Sequence, residues 1–458
     1  MKRILLYLLL IIMLASCDNF LEVGPNTSEL DTELVFKNDN TAIAALEAIY
    51  HELQFNSFAS GSVISITNLG NILADDALEY NITNDRYDFN RNTLRPDNST
   101  NNIIWSSAYK QLYNANALLE GIEDNTNLLE KTKQRIEGEA KFLRAFIYYY
   151  LVHIYNEVPL VLTTDYNVNQ SLPRTSVSEI YTQMQLDLEE ALVYLPEEYI
   201  QSEGEHIRPT KFAAYTLLAR MALWRSEFDK TINYANEVIE SDAYELVHLD
   251  EVFKANSRES IWQLVPVVPN IGANEGAVYI LENNPAAPNN SASQSLTVDL
   301  LSIWETGDAR YDNWINVYTE GIDNYYYPFK YKIKNGGDSE EYSMVMRLAE
   351  LYLIRAEAHA RSGNVQAALD DLNKIRNRAG LPDWTAADVP DIEQAVLDER
   401  RRELFSEWGH RWLDLKRFGV IDEVLGQKKP TWQPHAKLLP IPEQDILRNP
   451  FLTQNPGY

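Results

Sequence analysis

The sequence predicts a mainly α-helical protein, in which paired helices form a superhelical scaffold and a loop-rich insertion contains short β-strands. Two observations predict the scaffold: apolar residues recur at helical spacing along much of the chain, and several helix pairs share one frame of small and large residues. A third predicts the insertion, because between about residues 241 and 340 the helical period gives way to short apolar runs separated by Asn, Gly and Pro.

The N-terminus has the features of an export signal. Lys2 and Arg3 precede an unbroken apolar run, Ile4 to Ala15, which is shorter than the ~20 residues that span a bilayer as a helix. The run ends in Leu-Ala-Ser before Cys17, the only cysteine of the chain, and this order matches a bacterial lipobox. We therefore expect residues 1–16 to be a signal peptide and the mature chain, 17–458, to be anchored through lipid on Cys17.

Two helices are predicted early in the mature chain. Apolar side chains recur at helical spacing from Thr41 to Phe55 and again from Trp105 to Ile122. Between them, the segment from Tyr80 to Asn102 is polar, rich in Asn and Asp, and interrupted by Pro96. This composition predicts a long loop, and loops of this length are often functional.

Three helix pairs follow the frame of a tetratricopeptide repeat, in which small residues allow two helices to approach and large ones fill the groove between them. The clearest copy joins a helix around Tyr215 to the segment Ser226–Ile239, and a second runs from Tyr352 to Ile375. An interrupted third copy joins the helix around Ala145 to the helix around Leu188. Because the copies are not contiguous, we expect a scaffold with insertions and not an open array.

The insertion divides the mature chain into three parts. The N-terminal part, about 17–240, holds the first repeats, the insertion covers about 241–340, and the C-terminal part, 341–458, holds the last repeat. Within the insertion, Ile261–Val268 is strand-like, and an aromatic stretch, Tyr325–Tyr331, closes it. Strong alternation of polar and apolar residues is absent, so only small sheets are expected.

Charge and motif content exclude several functional classes. The formal net charge is -27, which argues against nucleic acid as a partner. The seven histidines are dispersed, and no metal-binding spacing, phosphate-binding glycine loop or Gly-x-Ser-x-Gly motif occurs. No cofactor, no metal and no catalytic residue is predicted, and the chain is not expected to be an enzyme.

One acidic cluster could be taken for catalytic carboxylates. Glu399, Glu403 and Glu407 lie four residues apart, so they share one helical face, and arginines lie beside them. Structural ion pairing with Arg400, Arg402 and Arg411 is the better interpretation, because arginine–carboxylate pairs join helices through paired hydrogen bonds.

Several motifs of the chain resemble those of the SusD/RagB family of outer-membrane lipoproteins, and they occur in the same order as in that family. The resemblance rests on Cys17 to Pro25, the helix that begins at Trp105, Glu139 to Phe146, Arg208 to Ala214, Glu399 to Leu415, and the closing Gln454 to Tyr458. It implies a helical fold on tetratricopeptide repeats and a lipid-anchored place in the outer membrane, facing outward. It also implies delivery of a nutrient to a partner TonB-dependent transporter similar to SusC. Family ligands are usually oligosaccharides or polysaccharides, and peptides in one branch.

Loop aromatics and their polar neighbours are the candidate ligand contacts, because sugar rings stack on aromatic faces while polar groups fix the hydroxyls. The candidates come from the predicted loop and from the insertion: Tyr80, Tyr87, Phe89, Arg91, Asn92, Tyr279, Trp314, Tyr325 and Tyr326. For every ring, burial beneath a loop remains an alternative. Two other functions also stay open, namely peptide binding on the same scaffold and an assembly role without a ligand.

Overall fold

The computed structural model describes residues 32–269, 271–288, 290–336 and 340–458. Cys17, the predicted lipidation site, and the predicted signal peptide lie outside the described residues. The N-terminal part contains α1 (Thr32–Val35), α2 (Asp39–Phe55), α3 (Ile66–Leu73), β1 (Ala77–Glu79), α4 (Arg86–Arg91), α5 (Ser99–Ile122), α6 (Glu130–Tyr155), α7 (Tyr166–Asn169), α8 (Val177–Tyr194), α9 (Lys211–Trp224) and α10 (Phe228–Ile239).

The rest of the chain adds five short strands and nine α-helices among the residues that the structure describes. They are β2 (Ser260–Leu264), α11 (Asn274–Tyr279), β3 (Gln294–Leu296), α12 (Val298–Leu301), α13 (Ala309–Trp314), β4 (Ile315–Glu320), β5 (Asp323–Pro328), β6 (Ser343–Arg347), α14 (Leu348–Arg361), α15 (Val365–Arg378), α16 (Ile392–Leu404), α17 (His410–Arg417), α18 (Ile421–Lys428) and α19 (Glu443–Arg448). The mainly helical fold class predicted from the sequence is confirmed. Within the described ranges, no helix is both long enough and apolar enough to cross a bilayer.

The helix pairs predicted from the repeat frame pack against each other. Helix α9 packs on α10, α14 on α15, and α6 on α8. Helix α6 is buried on all sides from Phe142 to Tyr155, as expected for a central helix that is apolar around its circumference. Within it, Arg144 pairs with Asp187 of α8 at 2.6 Å and donates to Asn116 of α5 at 2.9 Å, which fixes three helices together.

The strands form only small, two-stranded sheets, as predicted, and two of these sheets join the insertion to the scaffold. Strand β1 pairs with β3, β2 with β6, and β4 with β5, all antiparallel. The pairing of β2 with β6 joins the insertion to the start of the C-terminal part, and that of β1 with β3 brings the middle of the insertion to the N-terminal part. Residues more than 200 positions apart in sequence therefore become neighbours.

The prediction of a continuous loop from Tyr80 to Asn102 is wrong. The segment contains the short helix α4, and α5 begins at Ser99, six residues before the predicted start. The side chain of Asn98 explains the earlier start, because it accepts a hydrogen bond from the backbone N–H of Asn101 at 3.0 Å and so caps the helix.

The acidic face of α16 is buried in a network of ion pairs. Glu403 lies 3.0 Å from Arg310 and 2.6 Å from Arg347, and it also pairs with Arg378. Arg347 in turn lies 2.8 Å from Glu407. The carboxylates of this face are therefore held in structural ion pairs, which join α16 to the insertion and to β6.

The partners of these carboxylates differ in part from the predicted ones. Arg402 does pair with Glu399, at 3.1 Å. Arg400 instead pairs with Asp414 of α17, and Arg411 pairs with Asp75 next to β1, each at 2.8 Å. Residues four apart on a helix share a face, but the guanidinium groups of Arg400 on α16 and Arg411 on α17 reach outward to other elements.

Candidate functional site

Three tyrosines, Tyr80, Tyr318 and Tyr325, meet where the β1–β3 sheet approaches the β4–β5 hairpin. We call them the tyrosine cluster. The ring centroids of Tyr80 and Tyr325 are 5.6 Å apart in an edge-to-face arrangement, and those of Tyr325 and Tyr318 are 6.4 Å apart. All three side chains are half-buried, so each ring is supported from below and keeps part of its surface exposed.

Strand register sets the positions of the two hairpin tyrosines. Tyr318 and Tyr325 are directly opposite in the β4–β5 ladder, so their side chains lie on the same face. Two residues along β5, Tyr327 points to that face as well and is buried with Ile280, Leu281 and Ala292. This small apolar cluster supports the half-buried Tyr318 and Tyr325, which pack against it.

Tyr80 reaches the hairpin because it follows β1 directly. Its backbone N–H donates to the carbonyl of Ser293 at 2.8 Å, which extends the pairing of β1 and β3 by one residue. Its hydroxyl shares a hydrogen bond with Ser295 at 3.1 Å. These contacts fix the ring in one orientation, and the 215 residues that separate Tyr80 from Ser295 are bridged by the sheet.

Polar groups surround the tyrosine cluster. The amide of Asn284 donates to the hydroxyl of Tyr325 at 3.4 Å and to Glu320 at 2.5 Å. Arg86, from α4, donates to Glu79 at 3.2 Å and to Ser293 at 2.9 Å. The arrangement combines rigid aromatic faces with amide, hydroxyl and charged groups at the rim, which is the composition of a binding surface for a ligand with both apolar faces and hydroxyls.

Tyr87 and Arg91 form a second, smaller patch on α4. Tyr87 is half-buried and Arg91 is exposed, with the guanidinium 6.0 Å from the ring centroid. Tyr326 lies on the opposite face of β5 from Tyr325 and packs against a separate core cluster that contains Trp314. These three residues remain predicted ligand contacts outside the tyrosine cluster.

Four of the predicted contacts are wrong, because their side chains are buried. Phe89 and Trp314 are each 0% exposed, and the Trp314 indole donates to the carbonyl of Leu249 at 3.0 Å. Tyr279 is buried as well, and its hydroxyl accepts from Asn71 at 2.9 Å. Asn92 is the left-handed residue that ends α4, with a φ of 54°, and donates to the carbonyl of Leu73 at 3.1 Å. The three rings therefore pack in the core, and Asn92 forms a hydrogen bond with the backbone.

Sequence reasoning missed Tyr318 and Asn284. The sequence did hold a signal for Tyr318, because a glycine, Gly321, lies between Tyr318 and Tyr325 and glycine favours hairpin turns. In the structure Gly321 adopts a positive φ of 64°. A hairpin predicted at this glycine would have paired the two tyrosines. Asn284 had no such signal, since it lies in irregular chain and is brought to the cluster by tertiary packing.

The described part of the chain forms no metal site, and Glu403, a candidate catalytic carboxylate, is enclosed. Its residues include no group of three His, Cys, Asp or Glu side chains that could hold a metal ion. Burial alone would raise the pKa of Glu403, but the guanidinium groups of Arg378, Arg347 and Arg310 outweigh this and hold it well below its usual range. Such a carboxylate stays ionised and enclosed, so it is no general acid for a substrate.

Comparison with known proteins assigns the chain to a family. A family model described as "Starch-binding associating with outer membrane" matches residues 19–223, and the model of the SusD family matches residues 303–458. The chain belongs to the SusD/RagB family. Tyr80 lies in the first matched region, and Tyr318 and Tyr325 lie in the second.

Individual relatives match this SusD-like chain over all or part of its length. SusD-like protein P25 of Formosa agariphila is 25% identical over 100% of this chain and 99% of that protein. The starch-binding protein SusD of Bacteroides thetaiotaomicron is 36% identical over a shorter stretch, 25% of this chain and 21% of SusD. Among solved structures, a laminarin-binding SusD-like protein is 26% identical with a TM-score of 0.75, covering 92% of this chain and 100% of its own.

Proposed function

We propose that this SusD-like chain binds an oligosaccharide or polysaccharide nutrient through the tyrosine cluster at the outer-membrane surface. The observation that carries the proposal is the contact of Tyr80 with Tyr325, which brings the predicted N-terminal site and the predicted insertion site into one surface. Sugar rings present C–H faces that pack on aromatic rings, and the Asn284 amide and tyrosine hydroxyls supply hydrogen bonds to sugar hydroxyls. Names of relatives support glycan as the ligand class, since one is starch-binding and another laminarin-binding.

Binding without hydrolysis is the second part of the proposal. A glycosidase needs two carboxyl groups that reach the scissile bond from either side. The carboxylates that the sequence places together, Glu399, Glu403 and Glu407, are buried and paired with arginine or lysine, so none faces a ligand. The chain would therefore hold the glycan intact for another protein to take up.

The third part concerns location and partner. Lipid on Cys17 would anchor the mature chain to the outer membrane, facing outward, and a SusC-like TonB-dependent transporter would receive the glycan. The family description, which associates the N-terminal region with the outer membrane, supports this placement. The predicted lipobox supports the anchor.

Affinity electrophoresis tests the proposed function. The mature protein is run in native gels cast with laminarin, starch or no polysaccharide, beside Tyr325→Ala and a matched control, Tyr166→Ala. Tyr166 suits the control because it is 72% exposed on α7 and belongs to no aromatic cluster. We expect at least one glycan to retard the wild type and Tyr166→Ala, and to retard Tyr325→Ala less. Equal retardation of all three, or retention of casein peptides but of no glycan in a broader panel, would contradict the proposal.

A further inference from the structure

A cleft of about 390 Å³ lies on the helical scaffold, formed by elements that contribute nothing to the tyrosine cluster. It opens where the C-terminal ends of α6 and α9 meet the start of α8 and the side of α17. Its volume falls in the range of ~300–1,000 Å³ that is usual for small-molecule sites. The scaffold can therefore hold a second, small ligand independently of any glycan.

Aromatic rings form one wall of this cleft. The rings of His153 and Trp224 have centroids 4.0 Å apart, and Tyr181 meets His153 edge-on at 6.0 Å. His153 is fixed by two hydrogen bonds: its Nδ1–H donates to the carbonyl of Tyr149 at 2.6 Å, and its Nε2 accepts from the Tyr181 hydroxyl at 2.8 Å. Burial holds the pKa of His153 well below its usual value, so the ring is neutral and the wall is rigid and largely apolar.

The charges that line the cleft are positive. Lys416 and Arg225 contribute cations, and no Asp or Glu is among the lining residues, although the chain has 67 acidic and 40 basic residues. Arg225 is balanced by Glu227 at 2.8 Å. The ammonium of Lys416 donates to the carbonyl of His153, and within the described chain it forms no ion pair with a carboxylate. A half-buried cation without a counter-charge is costly unless an anion joins it.

We propose that this cleft binds a small organic anion, a carboxylate carried on a flat or apolar body, with the carboxylate against Lys416 and the body against Trp224 and Tyr181. Val177 and Ser178, the first two residues of the 18-residue helix α8, also line the cleft. Helix N-termini favour anions through the unsatisfied N–H donors of the first turn and the helix dipole.

Binding at this site depends on pH. Burial, with a smaller contribution from the nearby charge of Lys437, lowers the pKa of Lys416 to about 7. The other groups that face Lys416 keep one state between pH 6 and pH 8. His153 stays neutral, burial holds the pKa of Tyr181 well above its usual value, and Arg417 is paired with Glu357 and Asp414. An anion that requires the ammonium therefore binds more tightly at pH 6 than at pH 8.

Benzoate and benzamide are the probes, because they have the same flat body and differ in charge. Their dissociation constants are measured from Trp fluorescence at pH 6 and pH 8 on the mature protein, on Lys416→Met, and on Lys110→Met, whose lysine is exposed on α5. We expect saturable benzoate binding at pH 6 that weakens about tenfold at pH 8, with benzamide at least about tenfold weaker than benzoate at pH 6. Lys416→Met should lose the preference for benzoate, and Lys110→Met should keep it.

Three results would overturn the inference: no saturable benzoate binding at pH 6, equal affinity for benzamide, or an unchanged benzoate constant in Lys416→Met. If Lys416→Met does not fold, the comparison of the two probes and the pH dependence decide the matter on the wild type alone. Retardation of Lys416→Met in the polysaccharide gels should remain normal, because its site shares no residue with the tyrosine cluster. Failure of one site therefore leaves the other standing.

Discussion

Glu275, on the short helix α11 of the insertion, is a buried carboxyl group without a cation partner in the described structure. One of its oxygens accepts a hydrogen bond from the Ser343 hydroxyl, and the other is buried without a hydrogen-bond partner. Burial, followed by smaller effects of the carboxylates of Glu341 and Glu407, raises its pKa from 4.5 to about 7, despite the Ser343 bond. The replacement Glu275→Gln keeps the shape and removes the ionisation.

The size of this effect on stability follows from the linkage between ionisation and folding. A raised pKa in the folded state means that folding favours the protonated form of Glu275. The loss of unfolding free energy that Glu275 causes is therefore absent below pH 4.5, grows between pH 4.5 and about pH 7, and is constant above. At ~1.4 kcal/mol per pKa unit, a shift from 4.5 to about 7 corresponds to about 3 kcal/mol. Glu275→Gln should therefore be about 3 kcal/mol more stable than the wild type at pH 8, and nearly equal to it at pH 4.5.

Urea denaturation at the two pH values, followed by Trp fluorescence, measures this difference. Glu237→Gln is the matched control, because Glu237 is exposed on α10 and the same atoms change. The control should shift stability little at either pH. A difference between Glu275→Gln and the wild type that is the same at pH 4.5 and pH 8 would refute the reasoning, because it would mean that Glu275 ionises alike in the folded and unfolded chains.

Three further predictions concern the core, the anchor and the partner. Glu403→Gln should destabilise the fold by ~3–5 kcal/mol in the same urea assay, because it leaves the charges of Arg310 and Arg347 buried without their shared carboxylate; a loss below 1 kcal/mol would show that the network is dispensable. Cys17→Ala should release the protein from the membrane fraction or leave the precursor uncleaved, as seen by immunoblotting; normal size and retention would contradict the lipobox. Pull-down of the native protein from detergent-solubilised outer membranes should recover a large TonB-dependent barrel, and repeated recovery of the lipoprotein alone would count against the transporter.

The helical scaffold could be predicted because its signal is local. A helix pair such as α9 and α10 repeats small and large residues at fixed spacing, and that spacing decides which faces meet. Helix α4 lacks such a signal, since it has six residues and buries only Phe89 among them. One apolar residue in a polar segment defines no period, so the segment resembled a loop and Phe89 an exposed ring.

The candidate site could be predicted only in part, because its members come from distant segments. Tyr80 and Tyr325 were both identified as loop aromatics, but their contact depends on the pairing of β1 with β3, which no local pattern specifies. Trp314 shows the converse error: its irregular surroundings suggested exposure, whereas α13 places it in the core beneath the hairpin. The arginine partners of Glu403 were missed for the same reason, since Arg310 lies 93 residues away.

Isothermal titration calorimetry of the tyrosine cluster tests the central claim most directly. The polysaccharide that retards the protein in gels is used as a defined oligosaccharide, with the wild type, the double variant Tyr80→Ala/Tyr325→Ala and the control Tyr166→Ala, after circular dichroism confirms that each is folded. By analogy with base stacking, each lost ring costs ~1–3 kcal/mol, so two cost at least ~2 kcal/mol, and ~1.4 kcal/mol is a factor of ten in affinity. The account predicts that the double variant binds at least about tenfold more weakly, while Tyr166→Ala binds as the wild type does. An unchanged dissociation constant in the folded double variant would contradict the claim that this surface binds glycan.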